Sequence, residues 1–168
     1  MPRLALLLLA AALSQGKGRA SFVASGPAGL KIEGQTEDAA VLSDAEQITV
    51  SVPLASLKTG IDLRDKHLRD DLEAEKYPAA ELRVKRAALA VPQGAEEVER
   101  TCDGDLTLHG QTHPVSFSYK AKRSGDGFDV EGTLRIDTRD FGIVIPSYLG
   151  ITVKPEVQTH ASFHVAQG

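Results

Sequence analysis

The chain has no tryptophan, a single cysteine and no excess of basic residues. The lone thiol, Cys102, excludes a disulfide within the chain, so we expect the fold to depend on its apolar core alone. Because no cysteine follows the apolar run at the N-terminus, we expect no lipid anchor of the bacterial lipoprotein type. The formal net charge of −4 gives no basic field, and we expect neither a nucleic acid partner nor stable membrane insertion.

An unbroken apolar run, Leu4 to Leu13, follows Arg3 near the N-terminus. A membrane-spanning helix needs about 20 residues, whereas a shorter run of this kind is typical of the core of a signal peptide. We predict a signal peptide over residues 1–20, cleaved after Ser14 or after Ala20, and one domain over 21–168 in a periplasmic or secreted protein. A buried N-terminal strand or helix is the alternative.

Alternation of apolar and polar residues dominates the rest of the chain and predicts strands with one buried and one wet face. The clearest segments are residues 48–54, 102–109, 115–122, 128–137 and 157–165. Weaker segments lie at 21–25, 29–36 and 80–89. About eight antiparallel strands predict an all-β fold, either a sandwich or an up-and-down barrel wide enough for packed side chains or one small ligand.

Residues 60–76 interrupt this alternation with a dense run of charges and three leucines near helical spacing. Asp62 is placed to cap a helix, and Pro78 would end it and restart the sheet. Asp65 and Arg69 would form a pair one helical turn apart. We therefore predict one short amphipathic helix, at about 60–76, laid across the barrel or its mouth.

His67 is the best candidate for acid–base chemistry because charged groups surround it in sequence. On a helix, however, Asp65 and His67 would point about 200° apart. No nucleophile motif of the G-x-S-x-G type is present. We therefore predict no catalytic residue and no cofactor, and we interpret the helical segment as a binding mouth or a solvated connection.

The other histidines lie in two pairs, one at a predicted turn and one on the last strand: His109 and His113, and His160 and His164. Neither pair has a third ligand at suitable spacing, so we predict no metal site. Arg139 and Asp140 interrupt an apolar strand in a different way. Arg139 could bind an anionic head group, or the two residues could brace a corner of the fold.

Four segments resemble the YceI-like family of exported bacterial proteins in sequence, order and spacing: VPLASLKTGIDLRDKHLRD (52–70), EAEKYPAAELRV (73–84), GDLTLHGQTHPVSF (104–117) and TRDFGI (138–143). The likeness covers roughly residues 20–166. It implies a lipocalin-like antiparallel barrel whose long apolar channel holds a polyisoprenoid or another long-chain amphiphile. True lipocalins carry a Gly-x-Trp signature, which is missing here because the chain has no tryptophan.

We therefore expect an exported lipid-binding protein that carries, stores or sequesters its ligand and that could form a homodimer. A ligand-free structural or stress-response barrel and, less favoured, an enzyme of small amphiphiles are the alternatives. The predicted ligand head-group residues at the mouth are Arg64, His67 and Arg139. The predicted apolar lumen residues are Ile48, Val50, Val52, Leu82, Val84, Leu106, Leu108, Phe117, Tyr119, Val130, Leu134, Phe141 and Phe163.

Overall fold

The computed structural model describes residues 14–145 and 152–166 and shows a closed barrel of antiparallel strands, each paired with its neighbours in sequence. The strands are β1 (Ser14–Ser25), β2 (Lys31–Ser43), β3 (Gln47–Pro53), β4 (Ala79–Lys85), β5 (Glu97–Leu108), β6 (Gln111–Ser124), β7 (Gly127–Asp137) and β8 (Glu156–Ala166). Pairing of β1 with β8 closes the barrel. The predicted eight-stranded all-β fold is confirmed, and the barrel rather than the sandwich is formed.

The β5–β6 hairpin shows how the local sequence sets the register. Its loop consists of two residues, His109 and Gly110, with φ angles of 53° and 73°. Two positive φ angles are typical of a type I′ turn, whose twist matches that of the flanking strands. Leu108 therefore pairs directly with Gln111. Because β6 already begins at Gln111, His113 lies in a strand and not in the turn predicted for His109 and His113.

The first strand includes residues that the sequence analysis assigned to the signal peptide. Ser14–Gly18 pair with β2, and Gly18–Ala20 pair with β8. A shift of register between Gly18 and Ala20 leaves Arg19 at a bulge. The barrel therefore begins by Ser14, seven residues before the predicted domain start at residue 21. The apolar run itself lies outside the described residues.

The one α-helix among the described residues, α1 (Asp62–Asp71), lies between β3 and β4 as predicted but is shorter than residues 60–76. The residue at its N-cap is Ile61, and no side chain caps the helix. Asp62 thus stands inside the first turn, which corrects its predicted capping role. The helix ends at Asp71 with Leu72 as its C-cap, and Glu73 follows with a φ angle of 48°, which is incompatible with a continuing helix.

Short 3-10 helices form four of the corners, at Pro27–Gly29, Leu54–Ser56, Arg86–Ala88 and Thr138–Phe141. The last of these ends the alternation of β7, because a helical turn changes the direction in which successive side chains point. As a result Phe141 enters a buried cluster with Leu54 and Leu106. Cys102 is buried in a second cluster with Phe117 and Val84.

Candidate ligand cavity

A single large cavity of about 1400 Å³ occupies the interior of the barrel. We call the end that carries α1 the helix end and the opposite end, which carries the β2–β3, β4–β5 and β6–β7 connections, the far end. Side chains from both ends line the cavity, for example Leu63 and Leu72 at the helix end and Leu89 and Val165 at the far end. The barrel is therefore hollow along its length, and its wall is mainly apolar.

All but one of the predicted lumen residues line this cavity: Ile48, Val50, Val52, Leu82, Val84, Leu106, Leu108, Phe117, Tyr119, Val130, Leu134 and Phe163. They do so because strand alternation places every second side chain on the inner face. Phe141 is the exception, since it lies one layer behind the wall. Its ring packs edge-on against the ring of His113, with centroids 5.2 Å apart.

Small residues on the inner face leave part of this space empty. Gly132 and Ala161 are cross-strand partners on β7 and β8, and both line the cavity. A Cβ added at Gly132 would meet only the Ser118 carbonyl oxygen, at 3.8 Å. Gly104 is different, because a Cβ there would approach the Arg83 carbonyl oxygen to 2.8 Å. Gly104 allows close packing of β4 on β5 and does not enlarge the cavity.

Helix α1 contributes the polar part of the wall at the helix end, through Arg64, His67, Asp70 and Asp71. Two of the three predicted head-group residues, Arg64 and His67, are therefore in the cavity wall. Asp70 and Asp71 were not among the predicted head-group residues. Their position at the C-terminal turn, on the same side as His67 and three or four residues from it, was the signal available in the sequence.

Arg64 and Asp65 are joined through Thr59. The Arg64 Nε donates to the Thr59 hydroxyl at 3.1 Å, and its Nη2 donates to the Thr59 carbonyl at 3.2 Å. The backbone N–H and hydroxyl of Thr59 donate in turn to the Asp65 carboxylate, at 2.7 and 2.5 Å. These hydrogen bonds, first from the hydroxyl and then from the N–H, lower the pKa of Asp65. Asp65 accepts its hydrogen bonds from Thr59, and the charge of Arg69, its predicted partner one helical turn away, lowers the Asp65 pKa further.

The environment of Asp71 raises its pKa, whereas that of Asp65 lowers its pKa. The Asp71 carboxyl is half-buried beside the cavity, and this burial raises its pKa above the ordinary value. The charge of His67 lowers the pKa of Asp71 and that of Asp70 raises it, but desolvation has the largest effect. The helix end of the cavity therefore contains a partly desolvated carboxyl group on which the charge of His67 also acts.

Arg139 does not line the cavity. Its side chain is 69% exposed, and its Nε donates to the Asp137 carboxylate at 2.9 Å. Asp137 also accepts from the Arg139 backbone N–H at 2.9 Å and so caps the 3-10 helix that follows β7. The alternative of an Arg–Asp pair that braces a corner describes the observed geometry, with Asp137 rather than Asp140 as the partner.

His109, which was not among the predicted functional residues, holds the connection that follows α1. His109 Nδ1 bonds to the Phe141 carbonyl at 2.9 Å, and its Nε2 bonds to the Glu73 carboxylate. The Tyr77 ring packs against the imidazole, with centroids 5.1 Å apart. His109 thus joins the β5–β6 turn to two other loops of the helix end. Sequence spacing gave no signal for it, because its partners are more than 30 residues away.

At the far end, hydrogen bonds to a tyrosine hydroxyl hold the β4–β5 connection. The Tyr119 hydroxyl accepts from the Ala90 N–H at 2.8 Å and donates to the Ala90 carbonyl at 3.0 Å. This pair of bonds holds the β4–β5 connection over the barrel, where Leu89 packs against the core and Pro92 is fully buried. The β4–β5 connection therefore covers part of the far end with apolar side chains, and its backbone is held by the Tyr119 hydroxyl.

His164 lies on the outer surface between Asp129 and Asp126, with nitrogen–oxygen distances of 2.7 and 3.3 Å. These hydrogen bonds, that of Asp129 first, raise the pKa of His164. Within residues 14–145 and 152–166, no three His, Cys, Asp or Glu side chains come together as a metal site requires. Over the same ranges, no helix has the length and apolar character needed to cross a membrane.

Comparison with known proteins places this barrel in a family. The model of the YceI-like domain matches residues 14–165. A UPF0312 protein of Pseudomonas putida (strain W619) is 36% identical over 126 residues, which are 68% of this chain and 61% of that protein. Protein YceI of Escherichia coli O6:H1 is 35% identical over 109 residues, which are 59% of this chain and 53% of that protein. The chain thus spans between about half and three fifths of the length of these relatives.

Two solved structures share the fold. A polyisoprenoid-binding domain from Saccharophagus degradans superposes with a TM-score of 0.80 at 18% identity, covering 94% of this chain and 100% of that one. BcnA from Burkholderia cenocepacia superposes with a TM-score of 0.67 at 20% identity, covering 90% of this chain and 96% of that one. With the match over residues 14–165, these findings show that the chain belongs to the YceI-like domain family.

Proposed function

We propose that the protein binds a polyisoprenoid or another long-chain amphiphilic lipid inside the barrel and carries, stores or sequesters it. The observation that carries this proposal is the apolar cavity of about 1400 Å³ that runs through the barrel. Each buried methylene of a ligand contributes about 0.8 kcal/mol, so a chain of a few isoprene units supplies enough free energy for micromolar binding. Losses of motion on binding offset part of this gain.

The similarity to the Saccharophagus degradans domain, which is described as polyisoprenoid-binding, supports the same ligand class here. We propose that the lipid tail lies among the inward rows of the strands and that the head group lies at the helix end, near Arg64 and His67. Those two side chains belong to the polar part of the cavity wall. We propose binding without catalysis, because Cys102, the one thiol, is buried in the core behind the wall.

We propose that the protein is exported to the periplasm through the apolar run at its N-terminus. The pairing of residues 14–20 with β2 and β8 favours cleavage after Ser14, because cleavage after Ala20 would remove half of β1 from the closed barrel. N-terminal sequencing of the exported protein tests this. We expect a mature chain that begins near Gln15, and a chain that begins at Met1 or Ser21 would contradict the proposal.

The binding proposal is tested by native mass spectrometry of the protein purified from its own host, followed by organic extraction. We expect a defined long-chain adduct. Gly132→Phe and Ala161→Phe should abolish that adduct because they place an aromatic ring in the empty part of the cavity. Glu131→Phe is the matched control, since Glu131 is exposed on the outer face of the same strand.

The melting temperature separates the lipid-binding barrel from a solid structural one. In a cavity, the two substitutions should leave the melting temperature close to that of the parent. In a solid core, overpacking costs about 1–3 kcal/mol. A large fall in melting temperature for Gly132→Phe and Ala161→Phe, together with the absence of any lipid adduct in the parent, would favour the structural barrel.

A further inference from the structure

His109 joins three connections at the helix end through one imidazole ring. The side chain is 14% exposed, with Nδ1 against the Phe141 carbonyl at 2.9 Å and Nε2 against the Glu73 carboxylate. A carbonyl oxygen and an ionised carboxylate can only accept hydrogen bonds. A neutral imidazole has one N–H and can donate to one of these partners, whereas the doubly protonated ring donates to both. The two contacts together therefore require a cationic His109.

The backbone at both ends of the His109–Glu73 contact has an uncommon conformation. Among residues 14–145 and 152–166, three non-glycine residues have a positive φ angle, and Glu73 at 48° and His109 at 53° are two of them. Glu73 follows Leu72, the C-cap of α1, at the position where glycine is the usual residue. Left-handed residues with a side chain persist where the surrounding contacts impose them, and they are enriched in segments that switch between conformations. The contact therefore joins two residues that the backbone alone does not favour in this arrangement.

Glu73 is the one acidic side chain that bonds to this imidazole in the part of the chain that the structure describes. The charge of Glu73 also acts on Lys76, whose ammonium lies 5.0 Å from the centroid of the Tyr77 ring. Besides Glu73, the charged or titratable groups on the elements packed against the imidazole are Lys76 and Tyr77 after α1, His113 on β6, and Arg139 and Asp140 before Phe141. Glu73 is therefore the group among them whose bond depends directly on the second proton of His109.

From these contacts we infer that His109 is a proton-dependent latch that holds the connection after α1 against the β7–β8 connection. The doubly protonated ring bonds to both Glu73 and the Phe141 carbonyl. As the pH rises and the ring loses one proton, Glu73 is released, because its carboxylate is 49% exposed and can be hydrated instead. Leu72, next to Glu73, lines the cavity, so this release loosens the wall at the helix end. That the release also speeds the exchange of a bound lipid rests on the proposed function.

Hydrogen exchange of the Tyr77 amide measures the latch, because that amide donates to the Glu73 carbonyl at 2.8 Å. Exchange is followed by NMR on the full-length protein, and each rate is compared with that of an unstructured chain at the same pH. We expect the protection of the Tyr77 amide to fall at least about fivefold from about pH 5.5 to 8.5, the range in which histidine loses its charge. Protection of the Cys102 amide in β5 should change less than about twofold. Constant protection at Tyr77 would overturn the inference.

The variant Glu73→Gln tests whether the proton of His109 causes the pH dependence. A glutamine side chain can donate an N–H to the unprotonated Nε2, so the neutral imidazole satisfies both partners and the latch should stay closed as the pH rises. We expect the protection of the Tyr77 amide in this variant to change less than about twofold over the same pH range. Thermal unfolding at both pH values confirms that the variant is folded.

His113→Gln is the matched control. His113 lies on the same hairpin and packs on the Phe141 ring, but its Nε2 faces the Gln111 side chain at 3.4 Å. This variant should keep the full pH dependence at Tyr77. A pH dependence that persists in Glu73→Gln, or that disappears in His113→Gln, would assign it to other groups and overturn the inference.

The consequence for the cavity is measured by the release of a fluorescent long-chain alcohol from the parent and from Glu73→Gln. Release from the parent should be at least about threefold faster at pH 8.5 than at pH 5.5, and release from the variant should change less. Equal release from the two proteins at both pH values would overturn the control of access by the latch. A probe that does not bind at all would contradict the proposed lipid-binding function, and hydrogen exchange at Tyr77 would still decide whether the latch exists.

Discussion

At the helix end of the barrel, a histidine side chain joins three separate loops, whereas at the far end carboxylates bond to backbone N–H groups of their own turns and a tyrosine hydroxyl holds the β4–β5 connection. At the helix end, Asp65 anchors Thr59 and His109 joins Glu73 to the Phe141 carbonyl. At the far end, the Tyr119 hydroxyl holds the backbone of Ala90. Both ends enclose the same apolar cavity. The barrel thus provides a mainly apolar interior, and the polar side chains that α1 adds to its wall lie at one end.

The largest expected effect tests whether the helix end also contains part of the structural core. Phe141 is 2% exposed behind the cavity wall, and Phe141→Ala should lower the free energy of unfolding by about 3–5 kcal/mol because it leaves a void among close-packed side chains. Val144→Ala, at a position that is 79% exposed, should change it by less than about 0.5 kcal/mol. Denaturation by urea measures both. A loss below about 1 kcal/mol for Phe141→Ala would mean that this layer is not part of the core.

A smaller effect is expected at the far end from Tyr119→Phe. The substitution keeps the ring in the core but removes the hydroxyl that bonds to both backbone groups of Ala90. We expect a loss of about 1 kcal/mol of unfolding free energy, because water can replace these bonds at the exposed Ala90. Hydrogen exchange of the Ala90 amide should become faster while that of the Cys102 amide in β5 changes little. Unchanged exchange at Ala90 would show that the hydroxyl does not hold this connection.

The smallest effect is pH-dependent and belongs to the helix end. The pKa of Asp65 is lower in the folded protein, so its contribution to stability is present above the unfolded value of about 3.9 and is lost as the pH falls through the folded value. Asp65→Asn keeps an acceptor for Thr59 but removes the charge. The difference in melting temperature between parent and variant should therefore shrink as the pH is lowered from 6 towards 2. A difference that stays constant over this range would show that the Asp65 charge does not stabilise the fold.

The strands could be predicted from sequence because each has one face in the barrel and one in water, so its pattern repeats every two residues. The same rule placed the apolar rows of β3 to β8 in the lumen, as the wall positions of Val50 and Leu134 show. It failed at Phe141, where a 3-10 helix replaces the extended backbone and the alternation no longer determines direction. Arg139 was misplaced for the same reason, since that corner turns its side chain towards Asp137 in solvent.

The limits of the helix and the composition of its polar face were harder to predict. Asp65 was expected to pair along the helix with Arg69, and the charge of Arg69 does lower its pKa, but its hydrogen bonds come from Thr59, which precedes the helix. A hydrogen bond from a backbone N–H near a helix start competes with side-chain pairs in a way that spacing cannot reveal. The predicted end at residue 76 was also too late, because Glu73 adopts a positive φ angle and bonds to His109.

The sequence by itself determined the strand pattern, the position of the helix and the family, because all three depend on residues that are neighbours along the chain. Only the tertiary structure decided that the inward rows enclose space, as at Gly132, or close against a neighbouring strand, as at Gly104. The tertiary structure also decided that Arg64 and Asp65 both bond to Thr59 while Asp71 lines the cavity. These outcomes depend on distances between chain segments and on exclusion of water, and neither can be predicted from the local pattern of residues.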